Sequence, residues 1–310
     1  MILVAGSSNL DFVVRAERIP CPGETVLGQG FRTFPGGKGA NQAVACARAG
    51  AATTHFLTAM GADNFAPTIE ASLRDAGVVA HVVRSGSEPT GCAFICVSAD
   101  GVNAITVAPG ANSLLRPEHL PALAGFSHLL LQLETPLPTV AAYAQAARQQ
   151  GVIVVLNAAP AQALAQELLD NVDILVVNEG ELAVVAGHQG NVADCLRHVQ
   201  VPNVIVTLGA RGCCARTPTE VIAQPAFAVQ AIDTTAAGDT FCGVLVAALS
   251  QGAHLRKAVR VASAAGAMAC EVPGAQASIP CASDVDKFLA NQSEDSETSL
   301  QMLRSYCGVH

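Results

Sequence analysis

Short apolar runs recur along this chain, and each closes on a polar residue. Ile2–Gly6 leads into Ser7-Ser8-Asn9-Leu10-Asp11, His128–Leu133 into Glu134, Val152–Leu156 into Asn157, Asp173–Val177 into Asn178, and Val204–Val206 into Thr207. The runs are continuous rather than alternating, the pattern of a parallel strand covered on both faces. Helical segments lie between them, at Pro138–Gln150, Ala161–Leu169, Glu179–Ala186 and Val192–Val199. Regular β–α alternation with short links predicts an α/β chain with a doubly wound, mostly parallel sheet flanked by helices. In such sheets ligands bind beyond the carboxyl ends of the strands. Asp11, Glu134, Asn157, Asn178 and Thr207 all fall there, which predicts one polar crevice along one edge. Any one of these residues alone would serve as a turn or cap residue.

Two stretches break the pattern. Phe12–Phe34 mixes alternating residues with Pro20, Pro22 and several glycines, and Gly91–Val107 also alternates in part. Both read as small strands and turns. The expected organisation is therefore a core of residues 1–11, 35–90 and 108–290 with a β lid of 12–34 and 91–107. Within the core, Thr54–Met60, Val78–Val83 and Phe227–Ile232 read as strands, and Ala66–Ala76, 254–271 and Asp284–Ala290 as helices. From Asn291 the chain turns polar, so 291–310 is expected to be a mobile tail. Leu300, Met302, Leu303 and Tyr306 would allow it to dock as a short helix.

The composition is 51% hydrophobic and 14% charged, which excludes a disordered chain. The net charge of −8, without any stripe of Lys and Arg, argues against a nucleic-acid partner. No apolar run is long enough to span a membrane, and the N-terminal run reads as a buried strand rather than a signal peptide. Eleven cysteines at irregular spacing, without paired C-x-x-C, suit reduced and mostly buried thiols in a cytoplasm better than a zinc site.

Two motifs carry chemistry. The first is Pro35-Gly-Gly-Lys-Gly-Ala-Asn41, which opens a helix ending near Gly50; its glycines let backbone approach a ligand closely. It is neither the G-x-x-x-x-G-K-[ST] phosphate loop nor G-x-G-x-x-G. The second is Asp233-Thr-Thr-Ala-Ala-Gly-Asp239, a tight turn running into an apolar helix. Ala236, Ala237 and Gly238 would converge their N–H groups at the helix N-terminus, where an anion is favoured. Asp239 in that first turn is either a capping acid or a base that deprotonates a hydroxyl beside a bound phosphoryl group. Asn9 and Asp11 alternate, so they point the same way and can hold vicinal hydroxyls; turn chemistry is the plainer reading.

With both motifs in place, about two hundred residues apart, the chain resembles the ribokinase-like sugar kinase family from Ile2 to about Ala290. Pro22-Gly-Glu-Thr25, Gln132-Leu-Glu134, Asn157-Ala-Ala-Pro160, Asn178-Glu-Gly-Glu181, Thr207-Leu-Gly209 and Gly274-Ala-Gln276 extend the resemblance. It implies ATP-dependent phosphorylation of the 5-hydroxyl of D-ribose. Deoxyribose, another small sugar or a nucleoside is the alternative, and a non-catalytic sugar-binding protein the remoter one. Asp239 would be the base, and Ala236, Ala237 and Gly238 the anion hole. Asn9, Asp11, Gly37, Lys38, Gly39, Ala40, Asn41 and Glu134 would meet the sugar. Asn178, Thr207, Leu208, Gly209, Ala210, Arg211, Gly212 and Ser263 would line the ATP site, with Gly238 and Asp239 at its inner end. Glu181 would place Mg2+ through water, and Asp233, Thr235, Ala269, Val272, Gly274 and Ser278 would bind K+. The lid would form a homodimer contact. Two departures stand out: Ser263 where relatives often carry Asn, and Gly180 inside the N-x-x-E motif.

Overall fold

A computed structural model of the protein describes residues 1–309. The first third of the chain forms β1 (Ile2–Ala5), β2 (Asn9–Arg15), β3 (Gln29–Gly36), α1 (Lys38–Arg48), β4 (Thr54–Gly61), α2 (Ala66–Asp75), β5 (Val79–Ser85), β6 (Gly91–Val97) and β7 (Asn103–Ala108). The middle forms β8 (His128–Leu131), α3 (Leu137–Gln149), β9 (Ile153–Asn157), α4 (Gln166–Leu169), β10 (Ile174–Asn178), α5 (Glu179–Ala186), α6 (Val192–Leu196) and β11 (Asn203–Thr207). The last third adds β12 (Gly212–Arg216), β13 (Val221–Pro225), α7 (Ala237–Ser250), α8 (Leu255–Ala269), α9 (Ala282–Ala290) and α10 (Glu297–Cys307).

The strands make a nine-stranded sheet in the order β13-β12-β11-β10-β9-β8-β1-β4-β5 and a four-stranded sheet in the order β3-β2-β6-β7. From β5 to β11 the large sheet is parallel, and the β12–β13 hairpin adds an antiparallel edge. The chain winds outward from β1 through β4 to β5, then returns to the opposite side of β1 with β8 and winds outward again. That reversal between β1 and β8 is where an open α/β sheet leaves its crevice.

The continuous apolar runs follow from cover on both faces. Ile2 and Val4 face a core shared with Val44 of α1, Val246 of α7 and Val259 of α8, while Leu3 and Ala5 face Tyr143 and Ala144 of α3. Each such side chain contributes about 1.5–3 kcal/mol on full burial, so both faces favour apolar residues. On one side of the sheet, α1 and α7 cross backbone to backbone at Gly243. A Cβ there would lie 2.5 Å from the Gln42 carbonyl oxygen and 2.6 Å from the Ala45 Cβ.

The doubly wound reading is correct, and several details of it are corrected. Asn9 and Asp11 do not continue β1; they open β2, in the small sheet, after a break at Gly6–Ser8. Phe227–Ile232 is not a strand. Its place at the sheet edge is taken by the unforeseen β12–β13 hairpin, and the segment instead runs unpaired along the molecule, with Ile232 N–H donating to the Cys270 carbonyl at 2.7 Å. The helix expected over Ala161–Leu169 shrinks to Gln166–Leu169. Ala158 N–H bonds to the Val176 carbonyl and the Ala159 carbonyl accepts from Leu133 N–H, which holds the chain extended past the end of β9. The segment expected to be a mobile tail contains α10, with Leu303 and Cys307 buried.

Cys21, Cys46, Cys92, Cys96, Cys195, Cys213, Cys214, Cys242, Cys270, Cys281 and Cys307 are all free thiols. No helix among the described residues is long and apolar enough to cross a membrane. Because α1 and α7 meet at Gly243 without room for a side chain, Gly243→Ala is expected to destabilise the fold by about 1–3 kcal/mol through overpacking. Equilibrium urea unfolding measures this, and an unchanged midpoint would show that the two helices separate without cost.

Candidate active site

Three structural devices bring the site together. The first is the start of α1. Gly37 caps the helix with φ 87°, and a Cβ on it would lie 2.8 Å from the Asn9 nitrogen; a Cβ on Gly39 would lie 2.7 Å from the Gly6 carbonyl carbon. These glycines therefore let the helix close on the chain's own backbone after β1. Approach to a ligand was the expected reason for them, and the self-contact is an additional one. Ala40 N–H donates to the Ser7 carbonyl at 2.9 Å and seals the contact. A Cβ on Gly36 would collide with the Asp11 carboxylate, so Gly36 leaves that carboxylate its space.

The second device is the carboxylate cluster at the mouth of β1 and β8. Glu134 Oε2 accepts from Ser7 Oγ at 2.5 Å and from Lys38 N–H at 3.0 Å. Asn112, in the turn after β7, donates through Nδ2 to Asn9 Oδ1 at 2.9 Å and to the Ser8 carbonyl, and its Oδ1 accepts from Ser8 N–H. Asn9 is thus oriented, and its own amide nitrogen has no partner among the described residues. Burial, then the neighbouring carboxylates Glu134 and Asp239, push the Asp11 carboxyl up to about 7. The Lys38 ammonium is held above its ordinary range by Asp239 first, with Glu134 and Glu181 adding to it against the cost of burial.

The third device is the turn before α7. Ala236 caps the helix in the left-handed region, φ 59°, a conformation that costs a non-glycine residue about 1–2 kcal/mol. Among the described residues no hydrogen bond takes up the N–H groups of Ala236 and Gly238, so a donor pair stands open at a helix N-terminus. Asp239 follows, 8% exposed. Asn41 Nδ2 donates to its Oδ2 and Gln42 Nε2 to its Oδ1, both at 2.9 Å. Gln42 is itself held: its Nε2 also donates to Asn157 Oδ1 at 3.0 Å, and its Oε1 accepts from Gln132 Nε2 at 2.6 Å. Asn41 Oδ1 is buried without a partner, an acceptor left for a hydroxyl.

Two cavities flank this turn. One, about 570 Å³, lies between the small sheet (Asp11, Val13, Arg15, Arg32, Phe34) and the loops Ala231–Thr235 and Pro273–Ala275. Asn9, Asn41 and Asp239 are not on its wall, so the open space lies to the lid side of the buried reacting groups. The other, about 400 Å³, is lined by Thr207, Gly209, Ala210, Gly212, Phe227, Gly238, Phe241 and Ser263. The two share Ala231 and Thr234.

Most of the expected site residues converge here, and a few are placed differently. Leu208 is buried and Arg211 is turned outward, so neither lines the second cavity. Asn178 and Glu181 form a capping box on α5, each side chain taking the other's backbone N–H at 2.8 Å. Burial raises the Glu181 carboxyl above its ordinary value. Asp233 ties the two loops together: Oδ1 accepts from Thr235 N–H and Oγ, and Oδ2 from Gly274 N–H at 2.9 Å. Burial pushes its carboxyl up, but these bonds and Arg15 outweigh that and leave it below its ordinary value. Ser7 and Gln42, which orient the reacting groups, have no signal in the sequence beyond adjacency to Asn9 and Asn41, and Asn112, far from both motifs in sequence, reads only as a turn residue.

The profile of the pfkB family of carbohydrate kinases matches residues 1–282. The chain is 40% identical to the ribokinase of Haemophilus influenzae, over 93% of this chain and 98% of that one. It is 32% identical to a deoxyribokinase of Salmonella typhi, over 93% and 98%. A solved structure of Arabidopsis thaliana ribokinase complexed with ribose and ATP superposes with a TM-score of 0.84 at 34% identity, over 94% of this chain and 99% of that one. The chain belongs to the pfkB carbohydrate kinase family.

The Asp11 value gives a pH dependence of stability. Its folded-state value lies above the unfolded one, so the folded state binds the proton more tightly, and stability falls as pH rises from about 4 through about 7. Asp11→Asn removes the penalty. It is expected to gain on the order of 2–4 kcal/mol over the wild type at about pH 8 and almost nothing near pH 4. Denaturant unfolding at both values checks this; equal gains at the two would remove Asp11 as the titrating group.

Proposed function

We propose that this protein transfers the γ-phosphoryl group of ATP to the 5-hydroxyl of D-ribose, giving D-ribose 5-phosphate and ADP. The observation that carries the reading is Asp239, pinned by two amides in the same turn that presents open N–H donors. Each oxygen of that carboxylate keeps a lone pair for a substrate hydroxyl. Asp239 takes the hydroxyl proton as the oxygen attacks phosphorus, and the open N–H groups of Ala236 and Gly238 meet the charge on the transferring group, while Ala237 N–H is taken by the Thr234 carbonyl at 3.3 Å. Asn9, Asp11, Asn41 and Glu134 hold the sugar's other hydroxyls, with Gly37–Ala40 closing over it. The oriented Asn9 amide favours ribose, since 2-deoxyribose would leave a buried hydrogen-bonding group unpaired.

ATP occupies the cavity lined by Thr207, Gly209, Ala210, Gly212 and Ser263, next to Asn178, which pairs with Thr207, with its base against the apolar walls of Phe227 and Phe241. Glu181 with Asn178 would hold Mg2+ through water, and the ion would supply charge neutralisation to the phosphates. The hard oxygen donors of Asp233, Thr235, Ala269, Val272, Gly274 and Ser278 suit K+, and Asp233, held below its ordinary value and so ionised, fits that charge. K+ adds positive charge next to the anion hole. The free thiols suit a reducing cytoplasm.

The direct test is ADP release with ribose, 2-deoxyribose, fructose and adenosine, with and without potassium. Ribose-dependent turnover raised by potassium is expected, lowered about 10²–10⁴-fold in Asp239→Asn. Faster turnover on deoxyribose would reassign the sugar, and an active Asp239→Asn would remove the base.

The lid carries a further part of the reading, a homodimer. Phe31 and Phe94 stand 64% and 53% exposed, stacked on Phe12 on one face of the small sheet, and every residue of β7 is exposed. An apolar sheet face of this kind is covered in a stable protein, and a second copy covers it by symmetry. Sedimentation is expected to give a dimer that Phe94→Asp shifts to a monomer; a monomeric wild type refutes the pairing.

A further inference from the structure

The family match ends at residue 282, so α10 lies beyond it, yet the helix is firmly seated. Leu303 and Cys307 are 5% and 0% exposed. The segment leading to it is anchored by Asp295, whose Oδ2 accepts from Arg260 at 2.8 Å and from Gln224 Nε2 at 3.1 Å; Arg260 also donates to the Ser293 carbonyl.

From this seat Tyr306 reaches two elements at the rim of the second cavity. The Arg211 guanidinium stacks over its ring, 4.3 Å from the centroid, and its hydroxyl donates to Glu179 Oε1 at 2.8 Å. Arg211 ends the Gly209–Arg211 turn, whose residues Gly209 and Ala210 line the cavity. Glu179 opens α5, directly after Asn178 and inside its capping box. The turn also has backbone hydrogen bonds of its own: Arg211 N–H donates to the Leu208 carbonyl at 3.2 Å and Gly212 N–H to the Gly209 carbonyl. Gly209 and Gly212 bound it at φ 58° and 109°, Leu208 N–H bonds across it to Gly212, and the Arg211 carbonyl accepts from Ala226 N–H at 3.2 Å. One aromatic side chain from outside the family fold therefore touches both the loop and the helix that enclose the nucleotide.

We propose that α10 is a brace for the nucleotide site, with Tyr306 a positioning residue that fixes the Gly209–Arg211 turn against the N-terminus of α5. The inference rests on the assignment of this cavity to ATP. Tyr306 touches no substrate; it acts through the backbone of the turn and through Glu179. Reciprocity requires that ATP in turn stabilise the seated helix.

The test compares wild type, Tyr306→Phe and Tyr306→Ala. Tyr306→Ala is expected to raise KM for ATP about three- to tenfold, the combined weight of a cation–π contact and a hydrogen bond to a carboxylate, with kcat and KM for the sugar unchanged. Tyr306→Phe keeps the ring over Arg211 and recovers part of the loss. Calorimetry without sugar should show the same order of ATP affinity, and ATP should slow amide exchange across Glu297–Cys307 in the wild type. Equal ATP affinity in all three proteins, or a rise in both KM values together, overturns the brace while leaving the kinase reading intact. A wild type that binds no ATP overturns both.

Discussion

Asp239 is oriented by amides that come from the far end of the chain, and this contact governs much of the architecture. Gln42 is completely buried, and its side chain joins Asp239, Asn157 and Gln132 in one network. Neutral amides fix the carboxylate's direction without placing a formal positive charge on it; Lys38 supplies the nearby positive charge. Such a network holds only if α1 and α7 stay close, since a buried amide that loses its partner costs about 1–3 kcal/mol. The small residues on α1 (Ala40, Ala43, Ala45) and Gly243 on α7 provide that closeness. Packing along this helix pair is therefore part of the chemistry.

The same economy appears around the sugar. Asn112 orients Asn9, and Ser7 holds both Glu134 and the start of α1, so they decide where those side chains point. The strained Ala236 and the unpartnered Asn41 Oδ1 are local costs retained at the one place where a ligand can offset them.

The fold was legible in the sequence because continuous apolar runs admit few arrangements other than a sheet covered on both faces. The two motif turns were legible because Asp239 and the glycines of the first motif sit where few other conformations fit. What was not legible depended on distant partners. Phe227–Ile232 has strand composition, but the hairpin after Thr207 already fills the edge. Ala161–Leu169 has helix composition, but the helix forms only over Gln166–Leu169, after hydrogen bonds of Ala158 and Ala159 have carried the chain past the end of β9. The polar stretch after Asn291 reads as a tail, and only Arg260 and Gln224, on other elements, give Asp295 a reason to be fixed. Gln42 carries no local sign that it will face a carboxylate 197 positions away.

That separation has a consequence during synthesis. The chain emerges with Asn9, Asn41 and Glu134 well ahead of the turn that carries Asp239. A nascent chain stopped before Asp239 would hold Asn41 and Gln42 without the carboxylate that their amides meet. Only when the turn before α7 emerges do Asp239 and the open N–H groups of Ala236 and Gly238 join the amides of Asn41 and Gln42 that were made first.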